Sequence, residues 1–202
     1  MTLNPARKKI SKNYFQSKDV LKLAQNILGM AICTNFNRKF TSGIIVETEA
    51  YKGINDKASH AYGNKKTTKN NSMYLNGGTA YVYKCYGIHN LFNIVTNDEE
   101  SPDAILIRAI EPLDGLDIMK LRSNKTNILD LASGPGKLSK ALGITIDIDG
   151  SSLCDKIWIE EYLNPKNISI IKKPRIGVGY AGKDAQLLRR FYIQNNKYIS
   201  KK

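Results

Sequence analysis

The chain is poor in the residues that bind metals and build disulfide frameworks. Its 202 residues contain two histidines and three cysteines, Cys33, Cys85 and Cys154, an odd number at wide spacings with no C-x-x-C pair. That pattern excludes a zinc ribbon, a zinc finger and a disulfide scaffold. No run approaches the eighteen or so apolar residues that span a bilayer, and Met1 to Tyr14 is basic without an apolar segment. The expectation is a soluble, cytoplasmic protein in a reducing setting, with no membrane contact, no metal and no cofactor. Acidic residues are also scarce: 18 Asp and Glu stand against 31 Lys and Arg, a formal charge of +13 and a pI near 9.6. Polyanions, nucleic acid above all, are the first partners to consider, although a Lys-rich, Asn-rich composition produces some of this excess without any binding role.

The length suits one domain. Residues 1–12 read as a loose basic arm and 13–202 as a single domain. Ser17 is placed to cap a helix whose apolar positions Val20, Leu21, Ala24, Ile27 and Leu28 share a face, with Gly29 at its end. Strands are expected at Met30 to Phe36, Phe40 to Tyr51, Gly78 to Tyr86, Leu91 to Thr96 and Ala104 to Ala109. A short helix is expected over Asp114 to Arg122, and a second opened by Pro135 and closed by Gly143. Arg175 to Gly182 and Phe191 to Ile193 read as further strands. The fold class is therefore α+β, a single compact mixed domain around a curved, largely antiparallel sheet with surrounding helices. Asn55 to Gly78 is a long polar stretch, a candidate for substrate contact.

In Val46-Glu47-Thr48-Glu49-Ala50-Tyr51 a period of two places Glu47, Glu49 and Tyr51 on one face and Val46, Thr48 and Ala50 on the other. Two carboxylates among β-branched residues need either solvent, as on an exposed edge strand, or a purpose. Tyr81 and Tyr83 share a face of the next strand, while Tyr86 lies beside Gly87 at a turn, where an aromatic ring can protrude. Half-buried structural tyrosines are the plainer reading of that segment alone. Asn93 and Arg108 interrupt apolar strands, and His60 lies in the long polar loop. Ser133-Gly134-Pro135-Gly136-Lys137 is not a phosphate-binding P-loop, since Leu131 and Leu138 stand where Gly and Ser or Thr are required. It still offers backbone N–H groups at a helix start.

Taken in order, VETEAY at 46–51, Ala58-Ser59-His60, Tyr81-Val82-Tyr83 with Tyr86-Gly87, Asn93, the segment from Leu106 to Pro112, the segment from Ser133 to Leu138, and Arg175 to Gly179 resemble the alkyladenine (3-methyladenine) DNA glycosylase family. The resemblance runs from about Tyr14 to Ile193. It implies a monomeric, monofunctional glycosylase that flips alkylated or deaminated purines out of double-stranded DNA and hydrolyses the N-glycosidic bond with water, without AP lyase activity. By the same resemblance Glu49 matches the glutamate that activates water, and Arg108 an arginine beside that water. Tyr51, His60 and Tyr83 match the walls around the base, Asn93 an amide that crowds out an exocyclic amino group, and Tyr86 the wedge that fills the vacated stack. The chain departs from the family pattern at Ile54, where a proline is common, and in Thr67 to Asn71, which lacks the proline and arginine expected before Met73. A basic RNA-contacting module is the rival reading, against which Glu49 counts, because a pure binder has no use for an acid on the face that meets phosphates.

Overall fold

The computed structural model describes residues 7–201. Residues 1–6 of the proposed basic arm, and Lys202, lie outside the described residues; Lys9 bridges to Glu160, and the Ile10 N–H donates to the Ile159 carbonyl.

Among the described residues eight strands form one antiparallel sheet: β1 (Ala31–Phe36), β2 (Lys39–Tyr51), β3 (Ala80–Cys85), β4 (His89–Thr96), β5 (Asp103–Asp114), β6 (Ile157–Glu160), β7 (Ile170–Lys173) and β8 (Arg190–Ile193). Their order is β3-β4-β5-β2-β1-β6, with β8 also paired to β2 and β7 to β8. The thirteen-residue β2 is the spine. Its first half pairs with β1 and its second half with β8, while β5 runs along its length. Three α-helices, α1 (Val20–Asn26), α2 (Leu116–Ser123) and α3 (Pro135–Leu142), and several 3-10 turns surround the sheet among the described residues. The architecture is the expected α+β single domain.

The main core joins Val20, Leu23 and Ala24 of α1, and Ile27 just after it, to Ile45, Ala50, Ile105, Ile107 and Phe191 of the sheet and to Leu138 and Leu142 of α3. Val20, Ala24 and Ile27 belong to the expected apolar face; Leu23 joins it, while Leu21 is only partly buried. Gly143 ends α3 in the left-handed region (φ 73°), as its position predicted.

Four local expectations are corrected. Asp19, not Ser17, caps α1: its carboxylate accepts from the Lys22 N–H at 3.0 Å, while Ser17 Oγ accepts only from Asp19. β5 does not stop at Ala109 but continues through Pro112 to Asp114, because β2 remains beside it; Pro112 faces Gly43 at a bulge, where a missing N–H is tolerated. Arg175 to Gly182 is not a strand. Gly177 (φ 78°) and Gly182 (φ 58°) take left-handed backbone that no strand allows, and a 3-10 segment occupies Gly179–Gln186. Finally, strict alternation fails inside β2. A bulge between Ile45 and Glu47 leaves Val46 without a partner on β5. Val46 packs with Ile44 and Ala109 in a separate cluster instead of joining Ala50 in the main core.

Candidate active site

Glu47 and Glu49 are both completely buried, so β2 is not a solvated edge. Their charge is met by an irregularity in the neighbouring strand. Thr48 pairs with Ile107 and Glu47 with Ala109, which leaves Arg108 as the unmatched residue of β5 at that point. From there its guanidinium reaches both acids, with Nη1 3.2 Å from Glu49 Oε2 and Nε 3.5 Å from Glu47 Oε1. Glu47 is otherwise committed to structure: it accepts from Arg190 at 2.8 Å and from the Ser200 N–H at 2.6 Å.

Glu49 is held differently. The Tyr51 hydroxyl donates to its Oε2 at 2.8 Å, and the Ile176 N–H donates to Oε1 at 2.8 Å. Burial raises its pKa above the usual carboxylate range; Arg108, the Ile176 N–H and the Tyr51 hydroxyl pull the other way without cancelling it. The result is a desolvated carboxylate with stronger basicity than a surface glutamate. Tyr51 is pushed well above its ordinary value by burial and by the Glu49 charge, and so stays a neutral donor.

Tyr51, Arg108 and Ile176 form part of the wall of a cavity of about 380 Å³, so the carboxylate lies just behind that wall. Tyr83, His60, Asn93 and Tyr86 also line it. The Tyr81 and Tyr83 rings are stacked at 5.5 Å between centroids, and the His60 ring meets Tyr83 edge-on at 4.6 Å. His60 Nδ1 is 2.7 Å from the Tyr81 hydroxyl, and burial lowers its pKa, which favours the neutral imidazole. The Asn93 amide donates to the Tyr81 carbonyl across the β3–β4 ladder at 3.1 Å, which fixes its side chain at the cavity. Cys85 and His89 close the β3–β4 hairpin, and Tyr86 (φ 51°) and Gly87 (φ 72°) make its tip. Tyr86 is 91% exposed, a large aromatic ring directed into solvent at the mouth of an apolar-lined cavity.

All seven residues singled out in the sequence therefore converge on one place: six on the cavity surface, and Glu49 one hydrogen bond behind it. Ile176 was missed because it contributes only its main-chain N–H, for which sequence offers no signal. Tyr180, which also lines the cavity and is 72% exposed, was missed too. The loop before the site, residues 53–74, is held by 3-10 turns at Gly53–Asn55, Tyr62–Asn64 and Asn71–Tyr74. Among the described residues there is no cluster of His, Cys, Asp and Glu that would hold a metal, and no helix long and apolar enough to cross a membrane.

The profile of the methylpurine-DNA glycosylase (MPG) family matches residues 14–197. Curated relatives carry the provisional name 3-methyladenine DNA glycosylase. One from Chlamydia abortus is 45% identical over 189 residues, covering 91% of this chain and 97% of its own length. One from Clostridium novyi is 42% identical, covering 93% and 96%, and one from Bacillus cereus is 42% identical, covering 93% and 97%.

Proposed function

The chain belongs to the methylpurine-DNA glycosylase family, and on that footing we propose that it excises alkylated and deaminated purines from double-stranded DNA by base flipping and water attack. The observation that carries the reading is the convergence of an aromatic-walled cavity, an Arg108 in its wall paired to the buried Glu49 behind it, and an exposed tyrosine at its mouth.

A base inside the stack is out of reach, so it must be extruded at a cost of a few kcal/mol, less for a damaged or mispaired base. Tyr86 fills the gap it leaves. The extruded base enters between Tyr51 and the His60–Tyr83 pair, with Asn93 against its edge. Breaking the glycosidic bond develops positive charge on the sugar, which the Glu49 carboxylate stabilises while taking a proton from the attacking water. Arg108 offsets part of the desolvation of Glu49 and faces the cavity beside it. A 3- or 7-alkylated purine already carries positive charge and departs readily, whereas hypoxanthine is neutral and depends more on the enzyme. In this reading one chain supplies the whole site and acts as a monomer, with the positive charge of the protein drawing it to phosphates.

The products are a free base and an intact abasic strand. Duplex oligonucleotides carrying 3-methyladenine, 7-methylguanine, hypoxanthine or etheno-adenine should yield breaks only after alkali, and borohydride should trap no protein–DNA adduct. Strand cleavage without alkali, or a trapped adduct, would refute water attack; release of no base from any lesion would refute the function itself.

A further inference from the structure

Asp56 and Arg175, 119 residues apart in the chain, form an ion pair in which both side chains are fully buried. Arg175 donates through both terminal nitrogens to the two carboxylate oxygens, Nη2 to Oδ1 at 2.8 Å. Such a pair is costly to desolvate and is weak grounds for stability by itself. Its connections give it another meaning. The Asp56 carboxylate also accepts the Lys52 N–H at 3.1 Å and the Ala58 N–H at 3.0 Å, fastening the turn between Tyr51 and His60, and Arg189 lies 3.0 Å from it. Burial works to raise the pKa of Asp56, but Arg175 and the two N–H donors outweigh it and keep the group ionised. From Arg175, Nη1 donates to the Ala50 carbonyl at 3.0 Å, Nη2 reaches the Asp184 carbonyl at 3.3 Å, and the guanidinium carbon lies 4.7 Å from the centroid of the Tyr51 ring. The next residue is Ile176, whose N–H holds Glu49.

This inference rests on the catalytic reading of Glu49. The geometry points to Asp56 and Arg175 as positioning residues: one buried ion pair locks together the end of β2, the turn leading to His60 and the 175–186 segment, and thereby sets the Ile176 N–H on Glu49 and the Tyr51 ring against the cavity. Neither residue lines the cavity. The alternative, that the pair only holds the fold together, predicts no specific effect on Glu49.

The discriminating variant is Arg175→Lys, which keeps the charge but loses the planar fork that serves Asp56 and Ala50 at once and stacks on Tyr51. Should it fail to fold, Asp56→Asn/Arg175→Gln removes both charges of the pair together, so that neither is left buried alone, and only the partly exposed Arg189 loses a partner. Glu49 is faced by Glu47 and Tyr51 on its own strand, Arg108 on β5, Tyr83 on β3, and Arg175 and Tyr180 on the 175–186 segment. Of these contacts, the clamp governs the last segment. Carbon-13 NMR of the Glu49 carboxyl should therefore show its titration moving to higher pH in the variant, because the ionised form loses a donor, and the Ile176 amide should lose its protection from hydrogen exchange. Single-turnover excision should fall by about 10- to 100-fold, as expected when a reacting group is misplaced by about an ångström, with a much smaller change in affinity for lesion DNA. A folded variant with an unshifted Glu49 titration and a protected Ile176 amide would overturn the clamp. Failure of the glycosylase reading would look different: the wild-type protein would release no base, while the NMR arm would still decide the clamp.

Discussion

Replacing Glu49 by glutamine changes one atom, and the structure sets what that atom costs. The carboxylate receives three donors: Arg108 at 3.2 Å and the Tyr51 hydroxyl at 2.8 Å on Oε2, and the Ile176 N–H at 2.8 Å on Oε1. An amide has a single oxygen. Placed at Oε2 it keeps Arg108 and Tyr51 but turns its NH2 group onto the Ile176 N–H; reversed, it faces Arg108 with a donor. Either way one buried donor is orphaned, a cost of about 1–3 kcal/mol. Relief from burying a charge, the force that raises the pKa of Glu49, offsets part of this. For a domain of this size the melting temperature should fall by only a few degrees, since about 1 kcal/mol corresponds to roughly 2–4 °C. Total stability of about 5–15 kcal/mol keeps the variant folded.

The chemical loss should be larger. Without a general base, excision should slow by about 10² to 10⁴, or roughly 3 to 5 kcal/mol of barrier at 1.36 per decade. The assay is single-turnover release of hypoxanthine, the neutral lesion that needs most assistance, followed by alkali cleavage, with lesion affinity and thermal melting measured on the same preparation. A folded Glu49→Gln protein that binds lesion DNA and excises hypoxanthine at close to the wild-type rate would refute the assignment of Glu49 as the base.

Tyr86→Ala should lower the flipped population by roughly tenfold to a hundredfold, the equivalent of about 1–3 kcal/mol of stacking. The loss should be greatest for a well-paired lesion and least opposite a gap or mismatch, whereas Tyr83→Ala should reduce excision whatever lies opposite; equal losses against every partner base would show that Tyr86 is not the wedge. Asp103, pushed up to about 6 by burial, prefers its protonated form in the folded state. Its contribution to stability is therefore present below pH 4 and lost as the pH rises through about 6, so wild type should lose about 3 kcal/mol relative to Asp103→Asn across that window, at 1.36 per pKa unit. Denaturant melts at pH 4 and pH 7 measure it, and a pH-independent difference between the two proteins would show that Asp103 titrates normally.

Much of this protein was legible in order along the chain. Alternating β-branched residues located the strands up to Ala109 and at Phe191, apolar spacing located α1 and α3, and Gly143 marked a helix end because left-handed backbone suits glycine. The residues that meet at the cavity could be named beforehand because their motifs, taken in order, resemble one family; read alone, two acids and a phenol in a strand or a tyrosine before a glycine fit a solvated edge strand and half-buried structural tyrosines as well. What sequence could not decide were the features made by pairing distant segments. β6 and β7 are four-residue strands with no pattern of their own, recruited by β1 and β8. Two irregularities in the β2–β5 ladder, invisible to a period of two, send Val46 away from the main core and direct Arg108 between Glu47 and Glu49. The Ile176 N–H and the Asp56–Arg175 pair reach the site from opposite parts of the chain. A main-chain donor carries no sequence signature, and a buried charge can be kept ionised only by partners that tertiary folding brings within hydrogen-bond reach.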